Sequence, residues 1–113
     1  MARTGKAAPA TGYTYLWEFL VQPARQAEFE RHYAPDGSWV ALFRQAPGYL
    51  GTELLHDRSN RLRYVTIDRW TDIEAYRAFR TRFAEAYAAL DRQCAGLTTR
   101  EAPLGEYGEA VPA

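Results

Sequence analysis

Residues Tyr13 to Val21, YTYLWEFLV, are apolar on both sides of an extended chain. Tyr13, Tyr15, Trp17, Phe19 and Val21 fall on one side, Leu16 and Leu20 on the other, and Glu18 is the main polar interruption. Aromatic and β-branched residues at this density favour a strand. A strand without a polar face has to be covered twice, because either face left in water exposes large apolar groups. Leu62 to Trp70, LRYVTIDRW, repeats the condition: Leu62, Tyr64, Thr66, Asp68 and Trp70 share one face, while Val65 and Ile67 define the other.

The segments between these strands read as helices and a hairpin. Pro23 suits the first turn of a helix, where its missing N–H costs nothing. ARQAEFERHYA follows, with Phe29 and Tyr33 one turn apart. Pro35-Asp36-Gly37 interrupts that helix and SWVALFRQA resumes it, with Trp39, Leu42, Phe43 and Ala46 on one broad face. Pro47-Gly48 is a stop. Tyr49 to Asp57, YLGTELLHD, reads as a strand joined to Leu62–Trp70 by a hairpin loop at Arg58-Ser59-Asn60-Arg61.

Thr71-Asp72-Ile73-Glu74 reads as a capping box, the Thr71 hydroxyl and Glu74 carboxylate each satisfying an orphan N–H. The helix it opens carries one seam at spacings of three and four: Ile73, Tyr76, Phe79, Phe83, Tyr87, Leu90, Cys94 and Leu97. Stopped by Gly96, it would run for about 24 residues, roughly 36 Å. Leu97 to Leu104 reads as a last strand, which Pro103 places at a sheet edge.

The order β-α-(α)-β-β-α-β predicts an α+β fold of the ferredoxin-like βαββαβ type. Its four-stranded antiparallel sheet would carry the helices, the first of them split, on one face. Residues 1–12 are expected to be a disordered tail, 13–107 the domain and 108–113 a loose end. Helices on one face leave the other apolar face open. A second copy packed sheet against sheet about a two-fold axis covers it with no further sequence, so a homodimer is expected.

At 113 residues the chain makes one domain, yet it holds 3 Trp, 8 Tyr and 5 Phe. A domain this small buries only part of its surface, so the surplus of rings points to an enclosed apolar pocket, a subunit interface, or both. Fourteen Lys and Arg against 14 Asp and Glu leave no net charge to attract nucleic acid or an anionic membrane. No apolar run approaches the roughly 18 residues of a membrane span. The opening MARTGKAAPATG lacks the apolar stretch of a signal peptide, so a cytoplasmic location is expected. Cys94, the one cysteine, excludes an internal disulfide and a cysteine-based zinc site, and its place on the seam suits a buried, inert thiol. No Gly-rich phosphate cradle and no two-His-one-carboxylate spacing is present, so neither cofactor nor metal is expected.

The aromatic first strand, Ala46-Pro47-Gly48-Tyr49-Leu50-Gly51 leading into the second, a third ending in Trp70, and Thr71-Asp72-Ile73-Glu74-Ala75-Tyr76 opening the long helix form one pattern. It resembles the antibiotic biosynthesis monooxygenase family, small dimeric α/β-barrel proteins, over roughly Tyr13 to Tyr107. The resemblance implies a cofactor-independent monooxygenase that oxidises an aromatic phenol-, anthrone- or polyketide-like small molecule with O₂. The same scaffold hosts polyketide cyclases, haem-degrading enzymes and proteins of unknown role. A non-oxidative cyclase or isomerase and a non-catalytic small-ligand-binding protein therefore stand beside that reading. The family's recurrent tryptophan at the end of the third strand matches Trp70, and a pocket tyrosine of its anthrone-oxidising branch matches Tyr76. The asparagine which that branch carries four residues before the tryptophan is Thr66 here; threonine donates one hydrogen bond but does not replace a carboxamide. The haem-degrading branch needs an axial histidine on the second long helix, and residues 72–95 hold none.

Cofactor-free oxygenation asks for a dry slot, a base, and donors aimed where charge develops. Trp17, Trp39, Tyr64, Trp70, Tyr76 and Phe79 are the candidate slot, with Trp70, Thr66 and Tyr76 orienting the substrate. The Trp70 indole N–H has two uses open to it, a substrate oxygen or a backbone carbonyl. Asp68 is either a base with a raised pKa or the ion-pair partner of Arg63 or Arg69. Glu53 is the second candidate base and carries the same ambiguity, as does Glu18. The choice between Asp68 and Glu53 depends on which sheet face lines the pocket, and two apolar faces do not say. His32 and His56 are lesser candidates for moving a proton, lone histidines being more often surface or structural. Gly37 supports a turn whose loop is a candidate lid.

Overall fold

The computed structural model describes residues 12–112, so all but Gly12 of the expected N-terminal tail lies outside the described residues. Four strands, β1 (Tyr13–Val21), β2 (Tyr49–His56), β3 (Arg63–Trp70) and β4 (Thr98–Tyr107), form one antiparallel sheet in the order β2-β3-β1-β4. Helices α1 (Gln26–Tyr33), α2 (Ser38–Phe43), α3 (Ile73–Arg82) and α4 (Ala84–Cys94) supply its cover. This is the ferredoxin-like sheet that the element order predicts. β4 occupies an edge, as Pro103 requires, since a residue without an N–H cannot serve a central strand. The β1–β4 register shifts there, Leu16 facing Gly105 and Trp17 facing Pro103. Among the described residues, no helix is long and apolar enough to cross a membrane.

The helix-facing side of the sheet is the odd-numbered side of β1 and the even-numbered side of β3. Tyr13, Tyr15, Phe19, Val21, Tyr64, Thr66, Asp68 and Trp70 are all buried there. Rings from the helices meet them: Phe29 stacks on Tyr33 at 4.2 Å, Phe19 lies 5.3 Å from Phe29, and Trp70 lies 5.2 Å from Phe79. On the outer side Leu16, Leu20, Val65 and Ile67 are half-buried, and Leu50 and Leu55 are exposed.

Local chemistry explains where the helices begin and end. Pro23 opens a single 3₁₀ turn, Pro23–Arg25, ahead of α1. Gly37 lies so close to the end of α1 that a Cβ there would meet the Arg31 and His32 carbonyl oxygens at 2.6 and 2.7 Å. Gly48 has φ +89° and would set a Cβ 2.6 Å from that of Ala75, so the bare glycine lets the β2 entry lie against α3. Its carbonyl also accepts from the Thr71 N–H at 2.8 Å.

Three sequence expectations change in detail. The N-cap of α3 is Asp72 rather than Thr71: the Asp72 carboxylate accepts from the Ala75 N–H at 2.8 Å, while Glu74 turns to Arg77. Thr71 is still held by its backbone bond to Gly48, so the carboxylate one residue on takes the capping role. The long helix is two helices, parted at Phe83, whose φ −108° and ψ 28° leave the helical region. Neither proline nor glycine marks the break. The Phe83 N–H still donates to Phe79 and the Tyr87 N–H to Phe83, each at 2.9 Å, so the break is confined to one residue. The apolar seam survives the break, with Phe79 lying 5.6 Å from Phe83 and 6.1 Å from Tyr87. Finally, Leu97 is fully buried in a 3₁₀ turn, and β4 starts one residue later and runs to Tyr107.

Candidate active site

Between the inner sheet face and the helices lies a cavity of about 360 Å³, within the range of small-molecule sites. β1 contributes Tyr15, Trp17 and Phe19 to its wall, and β3 contributes Thr66 and Asp68. Thr52 enters from β2, Trp39 and Phe43 from α2, Tyr76 and Arg80 from α3, and Tyr87 and Asp91 from α4. Tyr33 and Glu101 complete one end.

Asp68 is 5% exposed and forms no ion pair with either neighbouring arginine. Arg63 pairs with Glu18 and Asp57, Arg69 pairs with Glu53, and all of these lie on the opposite side of β3. The ion-pair reading of Asp68 is thereby overturned: residues 63 and 69 alternate away from 68 across the pleat. Burial without a compensating cation pushes the Asp68 pKa up from 3.8 to about 6, with one hydrogen bond pulling against it. That bond comes from Thr52 Oγ1, which donates to Asp68 Oδ1 at 2.5 Å. With its single proton so committed, Thr52 accepts from the Tyr49 hydroxyl 2.6 Å away. The β2–β3 register sets Thr52 directly opposite Asp68 and so builds this chain.

Burial holds the Tyr15 and Tyr87 phenols neutral. Tyr15 is pushed well above its usual range by burial first and by the Asp68 charge next, with the Trp70 indole working the other way. Tyr87 is raised to about 12, again chiefly by burial. Neutral phenols next to a carboxylate can donate to an oxygen on which charge develops. The Trp39 ring is also in the cavity wall, with its buried Nε1–H beside Tyr33 and Cys94. The arrangement can take a proton from an aromatic ligand and stabilise the resulting anion away from water.

The structure brings together Trp17, Trp39, Thr66, Asp68 and Tyr76 of the expected site. Trp70 and Phe79 stand behind the wall, each 1% exposed. The Trp70 Nε1–H meets no backbone carbonyl; it approaches the Tyr15 hydroxyl without forming a full hydrogen bond. Tyr64 is turned to other work: its hydroxyl donates to Glu30 and accepts from Gln26, and its ring stacks on His56. Glu53 and Glu18 face outward in ion pairs. His32 shares a hydrogen bond with Ser38, and Cys94 is buried, as expected from its seam position. Thr52, Tyr15, Tyr87 and Arg80 were not singled out from sequence as site residues. Tyr87 lay on the seam and Arg80 lies one turn after Tyr76, but Thr52 carries no signal short of strand register.

Thr52→Val is expected to move the Asp68 pKa above about 6, because it removes the donor that favours the carboxylate. Titration of the carboxyl by NMR in both proteins checks this, and an unchanged midpoint would show that the bond does not act on Asp68.

A ferredoxin-like sheet holding an aromatic cavity against its helices is a small-molecule-pocket scaffold. The sequence pattern of the family described as antibiotic biosynthesis monooxygenase matches residues 13–92, and the chain belongs to that family. Deoxynogalonate monooxygenase of Streptomyces nogalater is 31% identical over 96% of this chain and 93% of its own length. A crystal structure of SnoaB, a cofactor-independent oxygenase from Streptomyces nogalater, in a singly substituted variant, superposes with a TM-score of 0.75. That match is 27% identical and covers 91% of this chain and 97% of the other. Rv0793 from Mycobacterium tuberculosis, 16% identical, shares the fold with a TM-score of 0.71 over 91% of this chain and 99% of its own.

Proposed function

We propose that the chain is a cofactor-independent monooxygenase that oxidises an electron-rich aromatic small molecule of the phenol or anthrone type. The observation that carries this reading is Asp68: a buried carboxylate without a cation, facing a cavity walled by rings. Such a group is a base poised near neutrality. In the anthrone case Asp68 takes a proton from the ring methylene, and the Tyr15 and Tyr87 hydroxyls stabilise the anion. The anion reduces O₂ by one electron, and the radical pair combines into a carbon-bound hydroperoxide. Loss of water leaves a ring carbonyl, so one O₂ and one CH₂ give one C=O and one H₂O. The names of the two Streptomyces nogalater relatives support the oxidative reading.

An oxygen electrode with an anthrone and a hydroquinone tests it. One O₂ consumed per ring carbonyl formed from the anthrone, and one per hydroxyquinone formed from the hydroquinone, is the expected result. Turnover without O₂ uptake would move the assignment to a cyclase or isomerase, and ligand binding without turnover to a binding protein.

The same reading includes a homodimer, in which the outer faces bearing Leu16, Leu20, Val65 and Ile67 pack on each other. Sedimentation at micromolar concentration is expected to give about twice the chain mass, and Ile67→Arg to give the monomer, since it buries a charge in that contact. A monomeric unsubstituted chain would remove the dimer.

A further inference from the structure

A dry slot sets a problem for the base inside it. Once a ligand fills the cavity, water is excluded from that side, and the proton taken from the ligand needs another way out. The hydrogen bonds behind Asp68 lead away from the cavity. Thr52 Oγ1 lies 2.5 Å from Asp68 Oδ1, and the Tyr49 hydroxyl lies 2.6 Å from Thr52 Oγ1. Tyr49 is half-buried at the entry to β2 and is not one of the residues that wall the cavity. Phe43 and Trp70 hold its ring at 5.5 and 5.3 Å, and the exposed Arg44 acts on its hydroxyl.

The two hydroxyls meet because β2 is irregular. Residues three apart on a regular strand point to opposite faces. Here Tyr49 pairs with Trp70 and Thr52 with Asp68, and the register shifts between Tyr49 and Gly51. The extra residue, Leu50, turns Tyr49 onto the face that carries Thr52.

We propose that Thr52 and Tyr49 relay the Asp68 proton to solvent, so that the base is emptied from behind while the ligand still fills the slot. This rests on Asp68 being the base and adds the route by which it is reset. For the outward step both hydroxyls turn, so that protonated Asp68 donates to Thr52, Thr52 to Tyr49 and Tyr49 to water. Each O–H bond then breaks as the next one forms, which leaves Asp68 ionised and the proton on water. The transfer also leaves Tyr49 donating to Thr52 and Thr52 to Asp68, the direction assigned above.

Anthrone deuterated at its methylene, kept with the full chain in ordinary water without O₂, is the probe. Loss of deuterium requires Asp68 to take a deuteron, exchange it with water and return a proton. Tyr49→Phe keeps the ring and the Thr52–Asp68 bond and removes only the outer hydroxyl. It is expected to slow the maximal exchange about tenfold, part of the roughly 10²–10⁴-fold that a positioned proton-transfer group contributes. The half-saturating anthrone concentration should not move. Nor should the rate at which the bound anion first appears by absorbance on rapid mixing, because ionised Asp68 takes one deuteron without the relay. Thr52→Val is expected to slow exchange as well, and Thr52→Ser to recover most of it. Exchange unaffected in Tyr49→Phe, or slowed only as much as anion formation, would overturn the relay and leave the monooxygenase reading standing. No catalysed exchange in the unsubstituted chain would remove Asp68 as the base and the relay with it. Relayed exchange without O₂ uptake in air would keep the relay and remove the monooxygenase reading.

Discussion

Asp68→Asn is expected to cut turnover steeply and, above pH 6, to make the protein more stable. The folded chain holds the Asp68 proton more tightly than the unfolded chain does, because burial raises the pKa from 3.8 to about 6. The associated stabilisation is complete below the unfolded value, declines as pH rises, and is gone once pH passes the folded value. At pH 8 the ionised carboxylate then costs about 3 kcal/mol relative to a neutral group, from roughly two pKa units at 1.36 kcal/mol each. Asparagine has the same shape, stays neutral and still accepts from Thr52. Thermal unfolding of the two proteins should therefore agree at pH 4 and diverge by about 1–3 kcal/mol at pH 8, the variant being the more stable. Turnover, which needs the ionised base, is expected to rise with pH through about 6 in the unsubstituted protein. In the variant it should fall by about 10²–10⁴-fold. A variant that turns over normally would take the base away from Asp68, and a stability gain equal at both pH values would refute the raised pKa. A destabilised residue kept at the centre of the cavity fits the usual exchange of stability for activity.

Trp70→Ala is expected to cost about 3–5 kcal/mol of stability, a large fraction of what a domain of this size has. Trp70 is 1% exposed and meets Phe43, Tyr49, Tyr76 and Phe79 at centroid distances of 5.9, 5.3, 5.5 and 5.2 Å. Those rings come from α2, β2 and α3, so the hole would open where three elements meet β3. Trp70→Phe should cost far less. It keeps most of the ring contact and removes a buried indole N–H that approaches the Tyr15 hydroxyl without forming a full hydrogen bond. Denaturant unfolding of both variants measures the difference. Equal losses would mean that the indole N–H, rather than the volume, holds the site. Because Trp70 packs on Tyr76, a loss of activity in a stable Trp70→Phe protein would place its role in positioning that tyrosine.

The pairing of sheet and helices was legible wherever a local rule had a single solution. Pro23 opens the turn ahead of α1, Pro35-Asp36-Gly37 parts α1 from α2, and Pro103 sends the last strand to the edge, whereas α2 ends at Phe43, ahead of Pro47-Gly48. The break at Phe83 was not legible, because a seam at spacings of three and four reads the same on one long helix or two. The site was legible in part for a related reason. Aromatic surplus announced a cavity, and the family resemblance drew attention to Trp70 and Tyr76, but only Tyr76 of the two lines it.

The sequence by itself determined the elements, their order, and the fact that Tyr64, Thr66, Asp68 and Trp70 share one side of β3, since alternation along a strand is a property of the backbone. Only the tertiary structure decided that this side faces the helices. It thereby put Asp68 in the cavity opposite Thr52 and sent Arg63, Arg69 and Glu53 outward. With apolar groups on both faces, either orientation buries hydrophobic area, so burial energy alone does not choose. The choice comes from register and from which face the helices pack, and packing them on the other face would turn Glu53 inward and Asp68 outward.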